Sequence, residues 1–241
     1  MRKILLSVVG FALIAITALA QENPYLGVGR SFVGGGLSVN ISDNENEGGN
    51  FTNQRTSRNN SFSLSPTYGK FFNDRWAYGV SFTVGFANNE QTTSGNDFID
   101  RSVQESTTVG LTPFLRRFLP ITERFGAYLQ PQVSYQYNSG IIEQDFRVNN
   151  DPINDQLRTF DTRNHLISAG MQGGFYYFIT QRFSVETNLL SLDFTYSSNN
   201  RERTDASAQP GENTQLSSTA ARINLVNQLS LDRILILNYY F

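Results

Sequence analysis

Residues able to do bond-making chemistry are sparse in this sequence. The only histidine, His165, stands three positions before Ser168 in "NHLIS", and a histidine beside a serine hydroxyl is the minimal pairing of a base with a nucleophile. If that segment is a strand, residues three apart face opposite sides and the backbone separates the pair. One histidine and no cysteine leave no His/Cys set for a metal. The glycine runs at 34–36 and 173–174 are followed by no helical pattern, so they do not read as phosphate loops. No catalytic residue, metal or cofactor is expected.

What remains is a set of polar side chains whose spacing is two. Gln130, Gln132 and Gln136 fall on one side of an extended segment, with Tyr128, and Arg116, Gln172 and Glu186 fall on the matching side of theirs. Arg116 lies just before one short turn and Glu186 just after another, which predicts similar heights and an ion pair. Whether these groups meet depends on the elements that carry them.

Those elements are strands. In "RWAYGVSFTVGFA", Trp76, Tyr78, Val80, Phe82, Val84 and Phe86 are large and apolar, whereas the intervening residues through Ala87 are small or weakly polar. Period two puts each set on one face of a strand, where a helix would scatter both. The same alternation marks Val33 to Ile41, Phe62 to Tyr68, Thr107 to Leu115, Phe125 to Tyr137 and Ile167 to Tyr177. Phe183 and Val185 start on one phase and Leu190, Leu192, Phe194 and Tyr196 continue on the other, which predicts a bulge near Leu189–Leu190. A last strand ends on Leu235, Leu237, Tyr239 and Phe241, making eight.

The connections alternate in length. Short turns are expected around Asn73-Asp74, Leu119–Glu123 and Thr180-Gln181, and long polar loops over about 43–59, 88–103, 139–164 and 198–221. Each short turn carries an aromatic or apolar residue, a polar pair, Arg and another aromatic: "FFNDRWAYG", "RFLPITERFGAYL", "YFITQRFSVETNL". "LDRIL" at 231–235 looks like a fourth copy and is read as chance or a bulge. Pro66, Pro113 and Pro131 fall inside strands and remove ladder donors, for which bulges are the expected remedy.

At the start, "MRKILLSVVGFALIAITALA" has a basic beginning, an apolar run and small residues at Ala18 and Ala20, the plan of a signal peptide cut between Ala20 and Gln21. Residues 21–241 are then one domain. Without Arg2 and Lys3, 17 basic residues face 21 acidic ones, a formal charge of −4, and no basic patch points to nucleic acid. No further run of 18 apolar residues follows, but a barrel strand hides its lipid face at every second position.

The segments "FVGGGLSVNIS", "LSPTYGKFFNDRWAYGVSF", "VGLTPFLRRFLPITERFGAYLQPQ" and "ILILNYYF" resemble the small eight-stranded outer-membrane β-barrels of Gram-negative bacteria, of the OmpA/OmpX-like type. The resemblance implies an all-β, antiparallel transmembrane barrel with short periplasmic turns and long extracellular loops. It further implies a monomer among outer-membrane lipid and lipopolysaccharide, and a terminal recognition signal (Leu235, Leu237, Tyr239, Phe241) for the barrel-assembly machinery. Eight strands leave room for side chains but hardly for a solute path. The expected role is therefore structural or surface-interacting, through the loops, with a lumen plugged by Arg116, Gln130, Gln132, Gln172 and Glu186. A narrow channel or ligand-binding barrel is the alternative, and a lipid A-modifying enzyme a third.

Overall fold

A computed structural model describes residues 25–47, 54–95, 98–148, 156–205, 213–225 and 236–241. Its regular elements are strands: β1 (Ser31–Glu47), β2 (Gln54–Phe71), β3 (Trp76–Ser94), β4 (Phe98–Pro120), β5 (Phe125–Val148), β6 (Gln156–Phe178), β7 (Phe183–Arg203), β8 (Asn213–Leu225) and β9 (Ile236–Tyr240). Neighbours from β1 to β7 pair antiparallel in chain order. Both β8 and β9 then pair with β7, at Leu190–Glu202 and Phe183–Glu186. β9 also pairs with β1 over Phe32–Gly35, which closes the sheet into a ring. The expected eight-stranded antiparallel barrel is thus present, its eighth position shared by β8 and β9 at different heights.

Alternation decides which face is which. Phe62, Leu64, Tyr68, Phe82, Phe86 and Val133 are all at least two-fifths exposed, whereas Ser63, Ser65, Thr67, Ser81 and Thr83 face the interior cavity. This is the reverse of a water-soluble barrel, which buries its apolar set. The bulge near Leu189–Leu190 is there: Gly173 pairs with Leu190 and Gly174 with Asn188, leaving Leu189 unopposed. That extra residue moves the apolar residues above it onto the outer face again.

The prolines cause no such shift. Leu64 still pairs with Val84 and Thr67 with Ser81 across Pro66, Leu111 with Tyr135 and Phe114 with Gln132 across Pro113, and Pro131 itself sits opposite Met171. All three prolines point outward, and the ladder resumes in the same register beyond each, so bulges are not how they are absorbed. The polar segments also differ from expectation. Most of what reads as long loop is strand, with ladders running to Glu47–Gln54, Ser94–Ile99 and Glu202–Asn213, so the connections shrink to 48–53, 95–97, 149–155 and 204–212. Backbone pairing needs no apolar face, so a strand polar on both sides leaves no alternation to read.

The three turns are built alike. In 72–75, Asn73 Oδ1 accepts from the amides of Arg75 (2.9 Å) and Trp76 (2.8 Å). Thr122 and Thr180 Oγ1 do the same service for Phe125 (3.0 Å) and Phe183 (3.1 Å). The amides of Phe72, Ile121 and Ile179 close the turns on the carbonyls of Trp76, Phe125 and Phe183, and Phe241 closes on Ser31 in the same way at 2.9 Å. The arginine of each turn donates structure through its backbone. The carbonyls of Arg30, Arg75, Arg124 and Arg182 accept from the amides of Phe71 (2.8 Å), Phe118 (2.7 Å), Phe178 (2.8 Å) and Tyr240 (2.7 Å). The fourth copy of the motif is therefore the stretch ending at Arg30, where Gly29 adopts φ +84°, a conformation that favours glycine. "LDRIL" lies outside the described residues.

Candidate functional site

At the turn end the interior holds two stacked layers of side chains. The lower is aromatic. Phe32 meets Phe71 (6.0 Å between ring centroids), Phe71 meets Phe118 (5.1 Å), Phe118 meets Tyr176 (5.3 Å), Tyr176 meets Phe178 (5.6 Å), Phe178 meets Tyr240 (5.0 Å) and Tyr240 returns to Phe32 (5.4 Å). All six are at most 1 % exposed. Four of them, Phe71, Phe118, Phe178 and Tyr240, are the residues whose amides bond the turn arginines, so the motif that makes the turns also aims a ring inward.

Arg116 and Glu186 lie against this layer. Arg116 Nη1 donates to Glu186 Oε2 at 2.7 Å, with side chains 5 % and 0 % exposed. Arg116 Nε donates to Gln130 Oε1 (2.7 Å), and Gln130 Nε2 donates to Gln132 Oε1 (2.8 Å). The Tyr240 hydroxyl donates to Glu186 Oε1 (3.4 Å) and accepts from Ser184 (3.3 Å). The guanidinium also sits over the rings of Tyr128 (4.7 Å), Phe114 (5.3 Å), Phe32 (5.4 Å) and Phe118 (5.7 Å). A cation so enclosed gains from each ring face and from one carboxylate, which offsets its loss of water. Room for it comes from Ala77, its fully buried neighbour on β3.

Gln172 is opposite Gln130 in the ladder but faces the space above rather than the ion pair. That space is a cavity of about 570 Å³ lined mostly by hydroxyls and amides, with Arg116 at its border and Asp193 the one carboxylate among its described lining residues. Asn238 also reaches it, 2 % exposed, with no partner for Nδ2. A separate hollow of about 900 Å³ nearer the loop end takes its lining mainly from outward-phase residues such as Val39, Phe62 and Ile141, and has no lining residue in common with that cavity.

From below, residues 25–30 cover the aromatic floor. Tyr25 stacks on Phe178 at 5.1 Å, Arg30 Nη1 donates to the Tyr25 carbonyl (2.6 Å) and Arg30 Nη2 to the Gln181 carbonyl (2.8 Å). Arg124 Nε donates to the Tyr25 hydroxyl (3.2 Å), a bond that raises the guanidinium further above its usual value.

The structure separates the other candidates. His165 is outside, exposed, with Nδ1 2.8 Å from the Tyr135 hydroxyl, while Ser168 is inside and bonded to Ser134. Leu237 and Phe241 face outward, Tyr239 packs on Phe183 (5.0 Å) and stacks with Phe241 (6.2 Å). Leu235, Ala20, Gln21 and Asp232 lie outside the described residues. Sequence reasoning missed the aromatic floor and the Tyr25–Arg30 cover. Its signal was present in runs such as Phe71-Phe72 and Tyr176-Tyr177-Phe178, where consecutive aromatics must face both ways. The polar side chains at the turn end are accordingly not alone there: six buried rings lie beneath the Arg116–Glu186 pair.

The chain matches no family model and no curated protein. Among solved structures it is similar to the outer membrane protein OprG from Pseudomonas aeruginosa, at 13 % identity and a TM-score of 0.39, over 91 % of this chain and 99 % of that one.

Proposed function

We propose that the chain is an integral protein of the Gram-negative outer membrane, its turns in the periplasm and its long polar strands outside. In this reading it is a non-conducting barrel that works as a structural or surface-interaction element. The observation that carries this is the six-ring floor with the Arg116–Glu186 pair at the end of a ring whose outer wall is apolar. An apolar exterior suits lipid, and a paired backbone is what a bilayer demands of a spanning strand. Lipid and lipopolysaccharide are then its surroundings, the barrel-assembly machinery its partner in biogenesis, and a monomer its expected state. The test is fractionation followed by planar-bilayer recording. Recovery in the outer membrane with no steady ionic current is expected; a soluble periplasmic location or sustained conductance overturns the reading.

A second reading is favoured by the unpartnered Asn238 amide in a hydroxyl-lined cavity: the lumen holds a small solute rich in hydroxyl or amide groups. A thermal-shift screen with sugars and polyols tests it, expecting a rise in Tm that Asn238→Leu abolishes.

A further inference from the structure

The fourfold repeat of the turn end supplies its own internal comparison. Just before each inward aromatic stands one outward residue, paired with the residue that follows the arginine of the neighbouring turn. The four pairs are Lys70 with Ser31, Arg117 with Trp76, Tyr177 with Phe125 and Tyr239 with Phe183. Two of these equivalent positions carry tyrosine and two carry a cation. The cations are not spread around the ring; they lie on β2 and β4 and flank β3, whose Trp76 and Tyr78 stand between them. Among the described side chains, they are also the only charged ones on the outward faces of β1–β7 between the turns and the row of Phe62, Phe86 and Thr107, where Arg163 of β6 is the next.

Neither cation has a counter-charge among the described residues. Arg117 lies over the Trp76 ring at 5.5 Å, yet its Nε is buried without a hydrogen-bond acceptor. Lys70 is exposed. Their strands are two apart, roughly 10 Å, a gap that two long side chains span from either side. A guanidinium whose side chain makes no hydrogen bond to a described residue, a second cation and an indole at the edge of an apolar wall fit one chemistry, a phosphate held at the membrane interface by the outer edge of the guanidinium rather than by its buried Nε.

We propose that Lys70, Trp76 and Arg117 form a headgroup site for an anionic glycerophospholipid on the outer wall at the turn end. The proposal rests on the membrane reading above. Each cation is worth roughly five-fold in local enrichment of an anionic lipid, so the pair should select it over a zwitterionic one by roughly ten-fold or more.

Trp76 is the single tryptophan of the chain, which makes the site its own reporter. The protein is reconstituted in phosphatidylcholine vesicles containing a minor share of brominated phosphatidylglycerol or of brominated phosphatidylcholine, and quenching of Trp76 is compared. Stronger quenching by the anionic lipid is expected, falling to parity in Lys70→Gln/Arg117→Gln, while Lys70→Arg keeps the preference. Equal quenching by both lipids in the unaltered protein overturns the site but leaves the membrane reading standing; no quenching by either overturns both. Loss of the preference on adding inorganic phosphate assigns the pocket to a soluble anion and overturns the lipid.

Discussion

Arg116 is held by a carboxylate, by the Gln130 amide and by ring faces, and the carboxylate can be weighed by itself. The Glu186 contact is fully desolvated, so removing one partner leaves a buried charge and costs about 3–5 kcal/mol, against about 0–1 for an exposed pair. A cycle of Arg116→Ala, Glu186→Ala and the double variant, unfolded reversibly in detergent, should show the double variant far less destabilised than the two singles together. Additive losses would mean that the rings and Gln130 hold the guanidinium without help from the carboxylate. Gly126 tests the floor from another side. A Cβ built there would strike the ring and hydroxyl of Tyr176 and the backbone carbonyl of Leu119 on the neighbouring strand. Gly126→Ala should therefore lower stability by about 1–3 kcal/mol through overpacking, read as an earlier denaturation midpoint. The inward positions of Arg116, Gln130 and Glu186 were legible as phase, because period two fixes a side regardless of what occupies it. Phe32, Phe71 and Tyr240 were not, since a large ring next to an outward apolar residue (Val33, Phe72, Tyr239) erases the contrast on which phase depends.

Among the strands, β7 is the informative one. Its two halves are apolar on opposite phases, and the sequence shows the break at Leu189–Leu190 that the ladder places at Leu189. Deleting Leu189 should leave Gly174–Asn188 and Gly173–Leu190 as consecutive pairs of a regular ladder, with Phe183 below and Phe194 above still outward, so the variant should keep its folded yield. Leu189→Ala, which keeps the residue count, should fold. Measuring the folded fraction of both variants after refolding separates a need for the extra residue from a need for its side chain. The polar ends of β3–β6 were illegible for the converse reason. Ser, Thr, Asn and Gln on both faces carry no period, yet their backbones pair as far as Phe98–Val148 and Phe146–Gln156. Proline misled in the opposite direction: a missing donor costs a hydrogen bond but forces no change of register when the ring points outward.

Across the complete ring, the last residue has two separable roles. We propose Phe241 as an assembly signal, and it is also the counterpart of Phe72, Ile121 and Ile179, the outward residues that close each turn. If only the position in the ring matters, Phe241→Asp and Phe72→Asp should slow assembly alike. If the terminal residue is read by the assembly machinery, Phe241→Asp alone should deplete the folded barrel, as counted by the species that migrates compactly on an unheated gel. The even spacing of turns and strands, and hence the ring, could be read from the chain. Its closure could not, because the pairing of β1 with β9 joins residues from opposite ends and leaves no local trace.

The reciprocal bonds between Ser31 and Phe241, 2.9 Å each way, make the two chain ends a hairpin that lacks only its tip. In the other three hairpins, three residues ending in arginine bridge the same pair, and Arg30 already supplies the last of them. Two inserted residues, Asn-Asp by analogy with 73–74, would therefore join Phe241 to Arg30, and the chain could be opened instead between Asn73 and Asp74. Such a circular permutant exchanges the Tyr25 cover for a covalent seam and keeps every strand pairing. It should refold in detergent to the same heat-sensitive compact species, which would make the order of the hairpins along the chain a matter of delivery rather than of architecture.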